Sequence, residues 1–365
     1  MYSEGKANIR DSKVAFLNPV GKASRDLSVA YVKLLASKKG RLLDATAATG
    51  IRAIRYAKES GIKNPTILEI NSSVYKAMKP NLTLNKVKAD ARNESVQEFA
   101  NTTKERFDFM DLDPFGGITP YIFDLMKITN DGARLMVTAT DVAVLCGADS
   151  KACMRLYDAK PIHNEMCHES GMRILIGHVA RIAGLFGFGI EVELSVSYMH
   201  YMRGFIKLTH GATTAYSSLE KMGYLKYCEK CCNREVEMGF LPKATECKSC
   251  KNKMATYGRM WMGELKDQKV VDKLNTALKS DADKKEAAKL ISIIKDELET
   301  PFYYHIPTLT KKMGVGSASH YSVANALEKK GFKVSQTHMK NSAIKSDAGL
   351  IEVMAAITSV RKSKG

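Results

Sequence analysis

Two carboxylates, a proline and an aromatic ring lie within six residues of one another, in the stretch Asp111-Leu112-Asp113-Pro114-Phe115-Gly116. The preceding residues, Arg106 to Met110, predict a short buried strand, and Gly116-Gly117 predicts a turn after it. Charged groups are costly to gather at the edge of a core. Ligands of open α/β sheets bind outside the carboxyl ends of the strands. We therefore expect this stretch to form part of a ligand site.

The same stretch resembles the Asp-Pro-Pro-Tyr type signature of enzymes that methylate exocyclic amines of nucleobases. The resemblance implies that Phe115 stacks on a base, while Asp113 and the carbonyl of Pro114 accept hydrogen bonds from its amino group. Asp113 would later take the proton that this amine loses. Asp111 is the alternative acid, and a structural role in anchoring the loop is the other interpretation of it. The alternative for the whole stretch is a simple strand end and turn.

A second candidate site is a loop of small residues between Leu43 and Arg52, placed between a predicted strand and a predicted helix. Small residues let the backbone approach a ligand closely, and Gly50 can adopt a turn that is strained for other residues. The loop lacks the glycine patterns of dinucleotide and ATP sites. Glu69 ends the next strand, where an acidic side chain can accept both ribose hydroxyls. The order strand, small-residue loop, helix, strand and acid predicts a site for an adenosyl cofactor, with Asp44 and Gly50 in the loop of this site. An exposed acid at a strand end is the alternative for Glu69.

Short apolar strands alternate with amphipathic helices from about residue 40 to residue 210, which predicts an α/β fold with a mostly parallel sheet. Met172 to Phe186 has the spacing of a core helix. Gly189 to Leu194 and Tyr198 to Leu208 predict a terminal antiparallel hairpin. This layout is that of a Rossmann-like class I methyltransferase domain, which we place at residues 1–215.

The character of the sequence changes after this point, and we predict a smaller α+β domain at residues 216–365. Cys228-x-x-Cys231 and Cys247-x-x-Cys250 have the spacing of a zinc ribbon, and four thiolates suit a structural Zn²⁺. We place this module at about residues 226–253; Cys232 could compete as a ligand but would break the geometry. Residues from about 300 to 347 suggest helix, turn, helix and strand, as in a winged-helix unit.

The composition is strongly basic: 56 Lys and Arg against 39 Asp and Glu in 365 residues, a net charge of +17. Such an excess favours a polyanionic partner, and part of it lies in the Lys-rich stretch Lys221 to Lys253. The alternatives are a cytoplasm of generally basic proteins and a solvated basic face. No apolar run approaches the roughly 20 residues of a membrane span, and the first residues lack the apolar core of a signal peptide. We expect a cytoplasmic, monomeric protein without membrane contact.

Many further segments, in one order along the chain, are similar to those of the tRNA guanine-26 N2-dimethyltransferase family. The resemblance covers nearly the whole chain, and the compact length resembles that of archaeal members. The segments are Asn18-Pro19, Ser24 to Val29, Ala48 to Ala57, Asp111 to Gly116, Thr138 to Asp141, Leu145 to Gly147, His200 to Arg203, the two Cys pairs, Pro301 to Tyr304 and Thr337-His338.

The resemblance implies roles for particular residues. Arg25 and Arg52 would hold S-adenosylmethionine, with Arg25 near its methionine carboxylate, because a guanidinium binds a carboxylate bidentately. Glu69 stands where the family usually has Asp. Two alignments, Asp90-Ala91 and Ser95-Val96, compete for the contact with the adenine, and the sequence leaves both open.

The activity that the resemblance implies is transfer of two methyl groups from S-adenosylmethionine to the exocyclic N2 of guanine 26 in tRNA. Placing nitrogen, methyl carbon and sulfur in line is most of this task. Phe16 would cover the face of the extruded guanine opposite Phe115, although a lone Phe is more often a core residue. The alternatives are a nucleic-acid-binding protein with an inactive methyltransferase fold, and an amino methyltransferase acting on another RNA or DNA base.

Overall fold

The structure is a computed structural model that describes residues 1–37 and 40–362. Strands alternate with helices in the first part of the chain, in the order β1 Tyr2–Glu4, β2 Ala7–Ile9, α1 Lys22–Leu35, β3 Leu42–Asp44, α2 Ile51–Arg55, β4 Thr66–Leu68, α3 Ser72–Leu84, β5 Asp90–Arg92, α4 Val96–Thr102, β6 Phe107–Leu112, α5 Ile122–Lys127, β7 Thr129–Ala139, α6 Val142–Leu145, α7 Ser150–Tyr157, α8 Cys167–Leu185, β8 Phe188–Tyr198 and β9 Tyr201–His210.

The remaining elements form a more mixed arrangement. They are α9 Ala212–Glu220, β10 Met222–Tyr227, β11 Arg234–Met238, β12 Ala255–Trp261, α10 Gln268–Lys279, α11 Lys285–Asp296, β13 Tyr304–His305, α12 Ile306–Lys312, α13 His320–Glu328, β14 Val334–Gln336, β15 Ala343–Ser346 and α14 Leu350–Lys362. Within the described residues, none of the helices has both the length and the apolar character that crossing a membrane requires.

Seven strands form the central sheet, in the order β5-β4-β3-β6-β7-β9-β8. The strands from β5 to β7 are parallel, whereas β9 runs antiparallel to both β7 and β8. The predicted α/β fold, a mostly parallel sheet completed by an antiparallel hairpin, is confirmed. The chain order reverses between β3 and β6, and the carboxyl ends of strands on either side of such a reversal form a crevice that binds ligands.

The second part of the chain packs closely against this sheet. Helices α10 and α11 contact α1, and Leu274 and Ile291 share one hydrophobic core with Leu27 and Phe205. On the other face, α8 contains the predicted core helix and packs against β12. The two parts therefore fold around shared cores, and a domain boundary after residue 215 stays a prediction.

Two small antiparallel sheets lie in the second part. One has the order β11-β10-β12, and the loops at its end carry the paired cysteines. The other, β13-β15-β14, accompanies helices α12 and α13. The order helix, helix and strand predicted for residues 300–347 is present.

Candidate active site

A cavity of about 330 Å³ opens at the carboxyl ends of β3, β4 and β6. Its wall is formed by the loop after β3, the ends of β4 and β6, the start of α4 and the segment that precedes α1. The lining residues used below are Phe16, Arg25, Thr46, Ala48, Arg52, Glu69, Ser95, Val96, Asp113, Pro114, Phe115, Thr138 and Tyr201. The position is the crevice at the reversal of strand order.

The loop after β3 turns tightly beside Glu69. Ala48 and Gly50 both have left-handed backbone conformations, with φ of 48° and 78°. A side chain at position 50 would also place its Cβ 3.0 Å from Cγ of Met78, so glycine suits this position. Glu69 accepts a hydrogen bond from the backbone N–H of Ala48 at 3.0 Å and one from that of Asn71 at 2.8 Å. Glu69 thus lies on the cavity wall, as its place in the sequence predicted.

Asp44 and Gly50, both predicted to contact the cofactor, support the loop without lining the cavity. Asp44 is buried, and its Oδ2 accepts a hydrogen bond from the backbone N–H of Ala53 at 3.1 Å. Its Oδ1 has no hydrogen-bond partner among the described residues. Burial, together with the charge of nearby Asp111, raises the pKa of Asp44 to about 7. The strand end directs this carboxyl into the core, and a contact between Asp44 and the cofactor stays a prediction.

The two competing adenine contacts occupy different surroundings. Ser95 and Val96 line the cavity at the start of α4, where Ser95 and Glu98 form a reciprocal capping box. Asp90 lies in β5, outside the cavity lining, and pairs with Arg92 at 2.7 Å. The cavity lining favours Ser95-Val96 over Asp90-Ala91, and the contact with the adenine stays a prediction.

Asp113 and Arg52 form an ion pair on the cavity floor. Arg52 donates to Oδ2 of Asp113 from Nε at 2.8 Å and from Nη2 at 2.5 Å. The backbone N–H of Asp113 donates to the hydroxyl of Thr46 at 3.0 Å, which fixes the loop. Burial alone would raise the pKa of Asp113, but the charges of Arg52 and Arg203 and hydrogen bonds from Arg52 and Thr138 hold it below its usual value. The Asp113 side chain keeps 28% of its surface exposed.

Asp111 is fully buried and lies outside the cavity lining. Nη2 of Arg203 contacts both of its carboxylate oxygens, at 2.8 and 2.9 Å, and the Tyr56 hydroxyl also donates to it. With its oxygens committed in this way, the carboxylate of Asp111 cannot reach a ligand in the cavity. The geometry therefore favours the structural interpretation of Asp111 over its role as the alternative catalytic acid.

Two aromatic rings project from the rim of the cavity. Phe16 is 60% exposed and Phe115 is 78% exposed, so neither is a core residue. Their ring centroids are 5.7 Å apart and the planes are tilted by 55°. Beside Phe115, Pro114 is buried, and the backbone N–H of Gly116 donates to the hydroxyl of Thr140 at 2.8 Å. The sequence-based pairing of Phe16 with Phe115 thus corresponds to two neighbouring exposed rings.

Arg25 lines the cavity, but its charge is already balanced. Its Nε and Nη2 donate to the two carboxylate oxygens of Glu4 at 2.8 and 2.6 Å, and Nη2 also contacts the carbonyl of Asn18 at 3.0 Å. Arg55 donates to the same Glu4 at 2.6 Å. Although burial opposes ionisation, these partners lower the pKa of Glu4 to about 2. Arg25 is therefore held rigidly, with Nη1 as the donor left to meet a ligand.

Tyr201 is a cavity residue to which the sequence assigned no role. Its hydroxyl is buried and lacks a hydrogen-bond partner among the described residues. Burial raises the pKa of Tyr201 to about 12, so the hydroxyl keeps its proton and can donate. In the sequence, only its place in the family-like segment His200 to Arg203 pointed to a role for Tyr201. Nothing in the sequence pointed to Glu4, which orients Arg25.

The four cysteines of the two Cys-x-x-Cys motifs converge on one point. All four sulfur atoms lie within 4.8 Å of one another, and the pairs Cys228–Cys250 and Cys231–Cys247 are 3.4 and 3.5 Å apart. A tetrahedral zinc with Zn–S bonds of about 2.3 Å places its sulfurs about 3.8 Å apart. The residues present therefore fit a structural Zn²⁺, and no sulfur position is left open for a substrate. Cys232 is buried outside this group.

Replacing Cys231 by Ser is expected to abolish stoichiometric zinc binding and to lower the temperature of thermal unfolding, because three thiolates hold the ion far less well than four. Metal content is measured by atomic emission on the purified full chain. The matched control is Cys232→Ser, one residue away, which should retain one zinc ion per chain. Equal zinc content in both variants would contradict the assignment of the four ligands.

Comparison with known proteins places this geometry in a family. The family model for N2,N2-dimethylguanosine tRNA methyltransferase matches residues 2–358. A tRNA (guanine(26)-N(2))-dimethyltransferase of Pyrococcus abyssi is 37% identical over 370 residues, covering 94% of this chain and 95% of that protein. Its counterpart in Haloarcula marismortui is 31% identical over 346 residues, covering 93% of each chain.

A solved structure shows the same fold over the full length. Trm1 from Pyrococcus horikoshii, in complex with S-adenosyl-L-methionine, matches with a TM-score of 0.90 at 34% identity, covering 98% of this chain and 99% of that one. The resemblance found in the sequence is thereby confirmed. The chain belongs to the N2,N2-dimethylguanosine tRNA methyltransferase family.

Proposed function

We propose that the protein transfers two methyl groups from S-adenosylmethionine to the exocyclic N2 of guanine 26 in tRNA. One observation carries the proposal: an ionised carboxylate, Asp113, lies on the floor of the cavity between a small-residue loop and two exposed aromatic rings. This set of groups suits a planar base with an amino group beside an adenosyl cofactor. Membership of the N2,N2-dimethylguanosine tRNA methyltransferase family supports the same reaction.

The cofactor would lie along the loop after β3. Glu69 would accept the ribose hydroxyls, and Ser95-Val96 would border the adenine, since both segments line the cavity. Arg25 and Arg52 would face the methionine part, where Arg25 has Nη1 to offer. S-adenosylmethionine, when bound, supplies a methyl group on a positively charged sulfur, and the thioether that leaves is neutral and requires no acid.

Phe16 and Phe115 would hold the target guanine between them. Enzymes that act on a base remove it from the helix stack, and exposed aromatic rings replace the lost stacking. The ring centroids are 5.7 Å apart and the planes are tilted by 55°, so the two rings would have to move apart and turn towards parallel when a base enters. The neighbouring Tyr201 hydroxyl, free of a protein partner, would donate to an acceptor on the base or the cofactor.

Asp113 would orient N2 and then take its proton. Both hydrogen bonds from Arg52 end on Oδ2, and Oδ1 would accept an N–H of the amine. Although the pKa of Asp113 is lowered, the N2 of guanine is a far stronger acid once methylated and positively charged, so the proton can still pass to this carboxylate. The carbonyl of Pro114 would be the second acceptor.

The count of N–H groups explains why the reaction would stop at two methyl groups. Guanine N2 carries two hydrogens, and the monomethyl product still has one to donate to Asp113. The dimethyl product has none, so the hydrogen bond from the base to the carboxylate is lost. A cytoplasmic location and a monomeric state remain predictions.

Incubation with labelled S-adenosylmethionine and unmodified tRNA should place label in N2,N2-dimethylguanosine, measured by nucleoside chromatography after digestion. A transcript with adenine in place of guanine 26 should take up at least about 100-fold less label, because adenine lacks the N2 amine. Undiminished label on the altered transcript would disprove the position. Label on neither transcript would support a binding protein.

The variant Asp113→Asn is expected to lower kcat by about 100-fold or more, because the amide cannot take a proton and offers one oxygen acceptor instead of two. Single-turnover methyl transfer at saturating tRNA and cofactor is the measurement. Asp108→Asn is the matched control: it lies in the same strand, at the end opposite the cavity, and should retain normal kcat. A kcat within a few-fold of normal in Asp113→Asn would disprove the role of this carboxylate.

A further inference from the structure

A second cavity, of about 570 Å³, lies between the tip of the β8–β9 hairpin and the segment that precedes β15. The hairpin, helix α8 and the second part of the chain all contribute to it. The lining residues are His168, Ser197, Tyr198, Met199, His305, His338, Met339, Lys340, Asn341 and Ser342. There is no carboxylate among them, although carboxylates are the common partners of buried cations.

Lys340 is the one lysine or arginine among the residues that line this cavity. It is half-buried, and its ammonium makes no hydrogen bond or ion pair within the part of the chain that the structure describes. Lys226, in the sheet whose loops carry the paired cysteines, shows the contrast: it is buried but pairs with Glu237 at 2.9 Å. An ammonium that has no counter-ion among the described residues can pair with an anionic ligand, and an ammonium and a phosphate form charge-assisted hydrogen bonds.

Of the three histidines that line the cavity, His305 has a ring nitrogen free to bind a ligand. His338 has both nitrogens in use, since Nε2 accepts from the backbone N–H of Ser197 at 3.2 Å and Nδ1 contacts Glu297 at 2.6 Å. His305 uses Nδ1 for the Thr308 hydroxyl and keeps Nε2 free. Burial and the charge of Lys340 lower the pKa of both His168 and His305, and the charge of Glu165 partly offsets this at His305.

A metal ion is the alternative ligand at this place. One atom each of Cys146, Cys167 and His168 lies within 4.8 Å of the others, and His168 lines the cavity. The charge of Lys340 acts on all three of these groups. It would repel a divalent cation, and the group provides three ligands rather than four. The chemistry of this cavity therefore suits an anion better than a metal.

The two cavities lie on either side of one tight turn. Tyr198 and Tyr201 pair across the tip of the hairpin, with Met199 and His200 between them. Tyr201 lines the first cavity, whereas Tyr198 and Met199 line the second. A strand that inserts a base into the first cavity from the side of this hairpin would carry its backbone past the tip.

We propose that the cavity around Lys340 binds a backbone phosphate of the RNA substrate, close to the nucleotide whose base occupies the first cavity. The inference rests on the proposed function and adds to it the place where the substrate strand is held. Lys340 would supply the charge, and His305 and Asn341 would add hydrogen bonds. Such a contact fixes the register of the strand without reading its sequence.

The test is Lys340→Gln in the full chain, with the dissociation constant of unmodified tRNA measured at several salt concentrations. Loss of one phosphate contact should weaken binding by about tenfold and reduce the slope of log K against log salt by about one. The affinity for S-adenosylmethionine and kcat at saturating tRNA should stay normal. Lys104→Gln is the matched control. Lys104 is exposed and precedes β6, so it lies near the amino-terminal end of this strand, whereas the first cavity lies at the carboxyl end.

A second measurement identifies the phosphate. Neutral methylphosphonates are placed singly at the backbone positions around guanine 26, and each transcript is titrated with both proteins. One position should weaken binding to the normal protein by about tenfold and leave binding to Lys340→Gln unchanged, as in a double-mutant cycle. Normal affinity and salt slope in Lys340→Gln, or additive losses at every position, would overturn the proposal. Absence of methyl transfer by the normal protein would instead overturn the proposed function.

Discussion

Two ion pairs at the end of β6 are the interaction on which the rest of the site depends. Asp111 and Asp113 are two residues apart, so they project to the same side of the strand, and two adjacent carboxylates would repel each other. Arg203 pairs with Asp111 and Arg52 pairs with Asp113, while Nη1 of Arg52 also lies 3.6 Å from Oδ2 of Asp111. Breaking either pair would leave a charge that is unpaired in or next to the core, which typically costs about 3–5 kcal/mol when the pair is buried.

These ion pairs also join the elements that form the cavity. Arg52 comes from α2, directly after the small-residue loop, and Arg203 comes from the antiparallel strand β9. The backbone of Asp111 accepts a hydrogen bond from Ala45 at 2.9 Å, so the cofactor loop is attached to the same strand end. The terminal hairpin thus does more than complete the sheet: it supplies Arg203, places Tyr201 in the first cavity and forms one wall of the second.

Local patterns in the sequence predicted those features that depend on neighbouring residues. The strand end with Asp113 and Phe115, the position of Glu69 and the four cysteines all follow from spacing within a short segment. Contacts between segments that are far apart in the sequence could not be predicted from such local patterns. The role of Asp111 depends on Arg203, which is 92 residues away, and that of Arg25 depends on Glu4. Asp44 shows a related limit, since a pattern cannot tell whether an acid at a strand end faces the core or the cavity.

The pH dependence of the methyl-transfer step tests most directly whether Asp113 is the acceptor. Because its partners lower the pKa of Asp113, the carboxylate is ionised well below neutral pH, and activity that depends on it is lost only when the pH falls through that lowered value. Single-turnover rates at saturating cofactor and tRNA should therefore stay constant within about twofold between about pH 5 and about pH 8. A rate that rises through a midpoint near the pKa of about 7 of Asp44 would contradict the account, because it would show that an acid with a raised pKa must ionise before methyl transfer.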